Sequence, residues 1–522
     1  MMLQELTDHP LEARKLWKGS KTPRVVLREE CGRAAAELLD NGTFFYLKDG
    51  ERIRHGFSTA DTLEGASIST RTAALQSRDT RTVQDPLGEG RQIVSVYREN
   101  GLTLRQELTL YREGDLVVQI FLKRDEGTVG TRYMAPFFAP YPDPSGKRIF
   151  LSLDQKMLLV PYDNDMWLRY ESCVPAAGRP RYDVTAIYDE QSLEGMVIGA
   201  LDFDVWKNAI RWNPHDARSV IAFCGIADGG THDVCPHGIV EGREVSSARF
   251  VLSWHDDIRR GMEHYGDLCV RVRPARPWSR GRVPFGWNSY AALGGTLKVE
   301  HWKQAGEFMK EELPNYADED GVSYVNLDGA FGLDHERIRD IIGQIHSRGQ
   351  KAGWYAAPCN CPAVLGDLPL KGTDLLIGDL FLKDASGNVL PAADNTVPFD
   401  VTHPVWEDYA RKNIRILTEL GVDYIKLDFL SHASVEGCHY EKNVTGRMAI
   451  DRVYRLLEEE IDRCGREIFV SLSIAPLFPY FLGNARRCCC DCFGHSDDVR
   501  YALNALNFAW WTNGRIYRYN DP

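Results

Sequence analysis

The stretch Gly421-Val-Asp-Tyr-Ile-Lys-Leu-Asp428 decides the fold class of the chain. Apolar residues precede it at the spacing of one helix face, namely Trp406, Tyr409, Ile414, Leu417 and Leu420. Gly421 is a typical helix stop, and the apolar residues that follow it predict a short strand. A helix that ends at a glycine and is followed at once by a strand is the repeating unit of a parallel sheet.

The same unit recurs on both sides of this stretch. One helix is expected from Asp334 to Gly349, and another from Arg447 to Gly465. Seven strands are predicted: Phe285–Asn288, Ser323–Asp328, Lys351–Tyr355, Asp423–Asp428, Ile468–Ser473, Arg487–Asp491 and Arg515–Asn520. A closed (β/α)8 barrel requires eight. Because the chain stops at Pro522, we expect a TIM-type barrel that is truncated before its last strand.

Residues 1–275 read as β-structure, because β-branched and alternating runs recur there between turn residues. The clearest runs are Arg91–Tyr97, Leu102–Leu110, Leu116–Leu122 and Arg249–Trp254. A large antiparallel sandwich fits this pattern. The segment Arg271–Pro284 is rich in Pro and Arg and lacks apolar periodicity, so it is the natural linker. We therefore predict an N-terminal β-sandwich domain over 1–275 and a barrel domain over 276–522.

Composition narrows the possible partners and location. The 522 residues carry a net charge of -12, which disfavours binding to nucleic acid or to anionic lipid. The sequence contains neither a run of 18 apolar residues nor an opening that resembles a signal peptide, so a cytoplasmic location is expected. Thirteen cysteines, with Cys488, Cys489, Cys490 and Cys492 crowded together, favour reduced thiols. The glycosylation sequons at Asn41 and Asn443 would fit the less favoured alternative, secretion.

Acidic residues at strand ends are the candidates for chemistry, because a parallel barrel has its active site at the carboxyl ends of its strands. Two-residue alternation places Lys426 and Asp428 on one face. A neighbouring Lys would keep Asp428 ionised and able to act as a nucleophile, although a structural ion pair explains the spacing equally well. On the predicted strand Arg487–Asp491, Asp491 shares a face with Arg487. Paired carboxylates are the minimum requirement for glycoside hydrolysis, whereas the alternative is that Asp491 only caps a turn or pairs with Arg487.

Other reactive residues have simpler explanations. Consecutive cysteines on a strand point to opposite faces, so the cysteine cluster does not predict a zinc site. Cys359 and Cys361 lack the two intervening residues that are usual for a redox pair. In His495-Ser-Asp-Asp498, Ser496 is expected to cap a helix whose first turn holds both acids. Aromatic side chains at presumed strand ends could contact a sugar or only pack the barrel: Trp287, Phe331, Trp354, Tyr355, Trp510 and Trp511.

Five ordered motifs give the barrel region a family resemblance. They are Phe285-Gly-Trp-Asn-Ser289, Val325-Asn-Leu-Asp328, Tyr424-Ile-Lys-Leu-Asp428, Arg487-Cys-Cys-Cys-Asp491 and Asn520-Asp-Pro522. In this order they resemble the α-galactosidase and α-N-acetylgalactosaminidase clan, glycoside hydrolase families 27 and 36. The β-rich N-terminal half is more similar to family 36, which combines a β-supersandwich, a (β/α)8 barrel and a C-terminal β-domain.

The resemblance implies a role for each matching residue. Asp428 would be the nucleophile and Asp491 the acid/base, while Lys426 and Arg487 would bind sugar hydroxyls. Asp328 would hold O4 and O6. Independently of the resemblance, Trp287 and Trp354 are candidate contacts to the sugar ring because of their aromatic side chains at strand ends. Gly329 stands where a second acid is usual, and Phe331 stands where a Trp often follows. Ser473 matches a position that carries Glu in family 27 galactosidases and Ser in their N-acetylgalactosamine relatives, so tolerance of a 2-acetamido or 2-amino sugar is expected.

The resemblance implies a retaining exo-α-glycosidase that releases terminal α-D-galactose or α-N-acetylgalactosamine by double displacement, without a metal or organic cofactor. A carbohydrate is the expected partner, and relatives in family 36 often form homo-oligomers. Two alternatives stay open. The pocket could bind glycans without turnover, given the departures at Gly329 and Ala330, or it could transfer the glycosyl unit to another sugar.

Overall fold

The computed structural model describes residues 23–140, 155–164, 169–174, 179–212, 219–328, 334–391 and 396–521. The chain divides into two compact units. Unit 1 comprises Met1–Tyr162, Tyr170–Arg273 and Asn443–Arg447, and unit 2 comprises Asp163–Arg169, Pro274–Lys442 and Met448–Pro522. The boundary predicted from the linker lies close to the division between the two units at Arg273 and Pro274. The assignment of the two units as separate domains stays a prediction.

Unit 1 is built mainly from antiparallel sheets. Its strands are β1 (Val25–Cys31), β2 (Ala34–Leu39), β3 (Phe44–Lys48), β4 (Glu51–Asp61), β5 (Ser67–Ser69), β6 (Ala74–Asp85), β7 (Gly88–Glu99), β8 (Leu102–Tyr111), β9 (Leu116–Arg124), β10 (Val129–Thr131), β11 (Tyr133–Pro140), β12 (Gln155–Leu159), β13 (Glu171–Cys173), β14 (Arg181–Tyr182), β15 (Val184–Asp189), β16 (Gly195–Ala200), β17 (Asn208–Trp212), β18 (Ser219–Cys224), β19 (Val240–Gly242), β20 (Glu244–Ser246) and β21 (Phe250–His255). The helix α1 (Ile258–Val272) follows the last of them.

Two large sheets share the core of this unit. One has the order β1-β2-β3-β4-β11-β18-β17-β14 with β5 beside β4, and the other has the order β13-β12-β15-β16-β21-β9-β8-β7-β6 with β20 beside β9. Buried apolar residues of both sheets, such as Ile53, Leu104 and Trp212, form one cluster. Two antiparallel sheets around one apolar core are the architecture of a sandwich. The four strands predicted most clearly correspond to β7, β8, β9 and β21.

Unit 2 is built around a parallel sheet. Its strands are β22 (Gly286–Asn288), β23 (Tyr324–Leu327), β24 (Lys351–Ala356), β25 (Asn360–Pro362), β26 (Thr396–Pro398), β27 (Tyr424–Leu427), β28 (Phe469–Leu472), β29 (Ala485–Arg487) and β30 (Tyr519–Asp521). Its helices are α2 (Tyr290–Leu293), α3 (Val299–Glu311), α4 (His335–Ser347), α5 (Pro404–Leu420), α6 (Gly446–Asp462) and α7 (Ser496–Phe508).

The parallel sheet has the order β22-β23-β24-β27-β28-β29-β30 and curls like part of a barrel. The predicted alternation of strands and helices is therefore confirmed, whereas truncation of a complete barrel stays a prediction. The three predicted helix patterns correspond to α4, α5 and α6, and α4 buries Ile338, Ile341, Ile342 and Ile345 as expected.

Two strand predictions were misplaced. The sixth strand is Ala485–Arg487, so Cys488 to Asp491 follow it instead of forming it. The last strand is Tyr519–Asp521 rather than Arg515–Asn520. The predicted cap of α7 was also displaced by one residue, because the helix begins at Ser496 and His495 occupies the cap position. No helix of the described ranges combines the length and apolar character needed to cross a membrane.

Candidate active site

The strand register distinguishes two faces of the parallel sheet. On one face, aromatic rings from four strands contact one another, with centroid distances of 6.2 Å between Tyr324 and Tyr424, 5.4 Å between Tyr424 and Phe469, and 6.3 Å between Phe469 and Tyr519. The opposite face is covered by helices, since the indole Nε1 of Trp302 in α3 donates to the carbonyl oxygen of Val325. We call the first the inner face.

Lys426 and Asp428 both lie on the inner face. The Lys426 Nζ is 3.5 Å from Oδ2 of Asp428 and 2.8 Å from Oδ2 of Asp328, which directly follows β23. Burial alone would lower the pKa of Lys426, but the charges of Asp428 and Asp328 outweigh it and raise this pKa above its ordinary value. The ammonium is therefore a counter-ion that two carboxylates share.

The first strand of the sheet positions Asp328. The side-chain amide of Asn288 donates to Asp328 Oδ2 at 3.0 Å, and the hydroxyl of Ser289 accepts from the backbone N–H of Asp328 at 2.8 Å. The side chain of Asp328 is only 4% exposed. The motif Phe285–Ser289 thus contributes hydrogen bonds to the buried Asp328, and it contains no acidic side chain of its own. Gly329, Ala330 and Phe331, which were singled out in the sequence, lie outside the described residues.

The backbone turns sharply after Asp428. Phe429 has a φ of 54°, in the left-handed region, and its N–H donates to Oδ1 of Asp428 at 2.9 Å. Ile474, directly after Ser473, has a φ of 40°. Such a conformation costs about 1–3 kcal/mol per residue, and it tends to occur where a functional group needs one orientation. The strained residues therefore follow the ends of β27 and β28, where candidate site residues lie.

Arg487 and Asp491 form an ion pair. The strand ends at Arg487, so Asp491 lies in the loop and the predicted strand alternation does not explain this pairing. The loop after β29 brings the carboxylate back to Arg487. Burial alone would lower the pKa of Arg487, but Asp491, Asp428 and Asp521 raise it. The Asp491 side chain is 40% exposed and that of Asp428 is 7% exposed, so the two acids occupy different environments.

The charges of both acids influence the pKa of Tyr355. It is the register partner of Lys426, and the Lys426 Nζ is 5.3 Å from the centre of its ring. Burial raises the pKa of the Tyr355 hydroxyl, and the charges of Asp428, Asp328 and Asp491 and the hydroxyl of Tyr290 raise it further. The charges of Asp428 and Asp491 thus raise the pKa values of the same two groups, the Tyr355 phenol and the Arg487 guanidinium.

Ser473 ends β28 on the same side of the sheet. Its N–H donates to the carbonyl oxygen of Leu427 at 2.8 Å, next to Asp428. The residue is 1% exposed, and its hydroxyl oxygen has no hydrogen-bond partner among the described residues. A buried hydroxyl without a partner is costly unless a ligand or water completes it. The structure therefore brings Ser473 together with Asp428, Lys426, Asp328, Arg487 and Asp491.

Three further residues belong to this cluster and were missed as site residues. Tyr290 follows the first motif, and Asp521 ends β30. Burial raises the pKa of Asp521 even though Arg487 and Lys426 oppose the rise. Asn164 comes from a distant part of the chain, and its side chain accepts from Ala475 N–H at 3.3 Å and donates to Cys489 O at 3.2 Å. Alternation could have indicated Asp521, whereas sequence carries no signal that would place Asn164 here.

Two predicted sugar contacts lie on the other face. Trp287 is the register partner of Val325, and Trp354 is the partner of Leu327. The ring of Trp354 packs against Trp302 of α3, with a centroid distance of 5.6 Å. Alternation allows only one of two consecutive residues to face inward, and on β24 that residue is Tyr355. Trp510 and Trp511 begin a short 3-10 helix before β30, and the ring of the buried Trp511 lies 6.5 Å from that of Phe478.

The cluster suits acid/base and nucleophilic chemistry on a polyhydroxylated substrate. Asp328, Asp428, Asp491 and Asp521 supply carboxylates, while Lys426 and Arg487 supply cations. A buried carboxyl group, that of Asp428, and a more exposed one, that of Asp491, match the two roles that glycoside cleavage requires. Tyr355 and Tyr290 add aromatic surface of the kind that packs against a sugar ring.

The fold is that of family 36 α-galactosidases. The chain is similar to the α-galactosidase AgaA from Geobacillus stearothermophilus at a TM-score of 0.61 and 12% identity, over 93% of this chain and 77% of that one. The α-galactosidase from Lactobacillus brevis gives 0.61 at 11% identity, over 92% and 75%. The α-galactosidase TtGalA from Thermus thermophilus gives 0.52 at 14% identity, over 83% and 86%. No protein-family model and no curated sequence matches the chain.

Proposed function

We propose that the chain is a retaining exo-α-glycosidase that releases terminal α-D-galactosyl or α-N-acetylgalactosaminyl residues. One observation carries the proposal: Asp428, which follows β27, contacts Lys426, and Asp491, in the loop after β29, contacts Arg487, so two carboxyl groups lie at the carboxyl ends of strands of one parallel sheet. The fold likeness supports an α-galactoside as substrate. A variant of AgaA was solved with raffinose, and TtGalA was solved with stachyose.

In the first step, an Asp428 carboxylate oxygen attacks the anomeric carbon while the bond to the leaving oxygen breaks. Asp428 suits this role because the Lys426 ammonium contacts its Oδ2 and the N–H of Phe429 donates to its Oδ1, which points one oxygen in a set direction. Asp491 donates its proton to the leaving oxygen. Lys426 and Asp328, which contact each other, would bind hydroxyls of the bound sugar.

In the second step, Asp491 accepts a proton from water, which attacks the anomeric carbon and releases Asp428. The ion pair with Arg487 orients the carboxyl group of Asp491. Sugar hydroxyls that engage Arg487 would weaken this ion pair and free the Asp491 carboxyl group to face the leaving oxygen.

Trapping the covalent intermediate tests this mechanism. A fluorinated galactosyl fluoride, whose glycosyl-enzyme hydrolyses slowly, should inactivate the protein and leave its label on the peptide that contains Asp428. Proton NMR of the first product from p-nitrophenyl α-galactoside should show the α-anomer. A label elsewhere than Asp428, or a β-anomer as first product, would overturn the assignment.

Ser473 favours a substrate with a 2-acetamido or 2-amino group. Its buried hydroxyl lacks a partner among the described residues and lies next to Asp428, so it leaves room and a hydrogen-bonding group beside the nucleophile. A Glu at this position would collide with an N-acetyl group, because both would occupy the same volume. Hydrolysis of p-nitrophenyl α-N-acetylgalactosaminide should therefore match or exceed that of the α-galactoside. A large preference for the α-galactoside would refute this specificity.

A further inference from the structure

In the loop between β29 and α7, the candidate acid/base lies between two cysteines in the sequence. Cys489 and Cys492 are separated by two residues, and Asp491 is one of them. This is the spacing at which dithiols form reversible disulfides in a single loop. The thirteen cysteines are free thiols in the structure.

The two thiols converge. The Cys489 Sγ is 3.3 Å from the carbonyl oxygen of Cys490, and the Cys492 Sγ is 3.8 Å from the same oxygen. Both sulfurs therefore lie against the same carbonyl group of the loop.

The environments of the two thiols differ. Cys489 is 5% exposed, and Asn164 binds its carbonyl oxygen, so its backbone is anchored. Burial raises the pKa of Cys489, and the neighbouring sulfur of Cys492 raises it further. Cys492 is exposed to solvent. A soluble reagent therefore reacts first with the exposed thiol of Cys492, and the buried thiol of Cys489 reacts second.

We propose that Cys489 and Cys492 form a reversible disulfide that restrains Asp491 and slows glycoside hydrolysis. The effect on catalysis rests on the proposed function. Asp491 must leave its ion pair with Arg487 to protonate a leaving group, and a disulfide across Cys489 and Cys492 closes a small ring around it. A ring of this size fixes the backbone dihedral angles of the two enclosed residues, so Asp491 loses the freedom to change partners.

The oxidant is a low-molecular-weight disulfide. The Cys492 thiolate attacks one sulfur of the reagent, forms a mixed disulfide and releases one reagent thiol. Cys489, after losing its proton, attacks the Cys492 sulfur and releases the second reagent thiol. Two electrons pass from the protein thiols to the reagent, and one protein disulfide replaces one reagent disulfide. A soluble dithiol reverses both steps.

The test treats the full chain with oxidised glutathione and follows two readouts. Peptide mass mapping should show the Cys489–Cys492 link as the loss of two hydrogens. The kcat for p-nitrophenyl α-galactoside should fall about 10²-fold, as is typical when a catalytic group is held out of position, and dithiothreitol should restore it. Cys492→Ser should resist oxidation, whereas the matched variant Cys490→Ser, which alters the thiol between the pair, should keep the wild-type response.

The outcomes separate this inference from the proposed function. A Cys489 link to Cys488 instead of Cys492, or the expected link with an unchanged kcat, would overturn the inference. The mass map does not depend on activity. If the protein cleaved no glycoside, the peptide mass map would still decide whether the disulfide forms. The missing activity would then contradict the proposed hydrolase function and not the disulfide.

Discussion

The ammonium of Lys426 donates to the carboxylate of Asp328 at 2.8 Å, although the two residues are 98 positions apart. They belong to different strands, and the parallel register brings them to the same end of the sheet. Because Lys426 also contacts Asp428, it neutralises part of the charge of two buried acids at once.

Replacement of Lys426 by Met should lower kcat/KM by about 10²–10³-fold, as does the loss of one preorganised electrostatic group in other enzymes. The variant leaves Asp328 and Asp428 buried without the cation that contacts both of them. Steady-state kinetics with p-nitrophenyl α-galactoside measure the change. Lys351→Met removes a lysine that pairs with Asp423 and serves as the control. Equal kinetics of the two variants would contradict the shared counter-ion.

Replacement of Asp428 by Ala should lower kcat by at least about 10⁴-fold, because loss of a covalent nucleophile costs this much or more in other enzymes. Azide should restore part of the activity and yield the β-galactosyl azide, since the anion enters from the face that Asp428 occupied. NMR of the product identifies the anomer. An α-azide, or near-full activity without azide, would show that Asp428 is not the nucleophile.

Replacement of Asp491 by Ala should slow substrates with poor leaving groups far more than activated aryl galactosides, because only the former need a proton from the acid. Azide should now yield the α-galactosyl azide, by attack on the intermediate held at Asp428. Asp497→Asn changes an exposed acid six positions further on, with a side chain that is 65% exposed, and should behave like wild type. A uniform loss over all leaving groups would argue against an acid/base role.

Much of this site could be predicted from the sequence, because period-two alternation is a property of every strand. It placed Lys426 and Asp428 on one face, and the structure has them there. The same rule excludes Trp354 once Tyr355 is assigned inward, and the register confirms that exclusion. Local sequence patterns are therefore enough to predict which face of the sheet a side chain occupies, provided that the residue lies within a regular strand.

The rest depended on loops and on distant chain segments. Asp491 lies four residues beyond Arg487 in an irregular segment, so its position follows from the ion pair and not from strand geometry. Asn164 reaches the loops after β28 and β29 from more than 300 positions away. No local pattern encodes such a contact, because it results from how the whole chain folds.

Replacement of Ser473 by Glu should change the substrate preference. The longer acidic side chain fills the space beside C2, so kcat/KM for the N-acetylgalactosaminide should fall by about 10–200-fold, as expected when a small group no longer fits its pocket. The α-galactoside should be affected less, since its 2-hydroxyl can donate to a carboxylate. Ser471→Ala, one inward position earlier on β28, is the matched control. Equal losses for both substrates would refute a role for Ser473 in specificity.

A buried ion pair in unit 1 should make its stability depend on pH. The Nε2 of His264 in α1 is 2.8 Å from Asp115, whose side chain is 2% exposed. Burial alone would lower the pKa of His264, but Asp115 and then Glu113 outweigh it and raise the pKa. His255 lies in the same cluster, where burial, Lys48 and His264 lower its pKa to about 4, so it stays neutral near neutral pH. Asp115 stays ionised there, because His264 lowers its pKa against the effect of burial.

The stabilisation by His264 should be complete below its unfolded pKa of about 6.5 and should be lost as pH rises through its higher folded pKa. His264→Asn removes a charge-assisted hydrogen bond worth about 1.5–3 kcal/mol, so its effect should be largest near pH 6 and shrink toward pH 9. Hydrogen exchange of α1 over this range measures the local free energy of unfolding. His335→Asn, in the first turn of α4, should leave the pH dependence of this free energy as it is in the wild type. If His264→Asn kept it too, the Asp115–His264 pair would not be the source of the pH dependence.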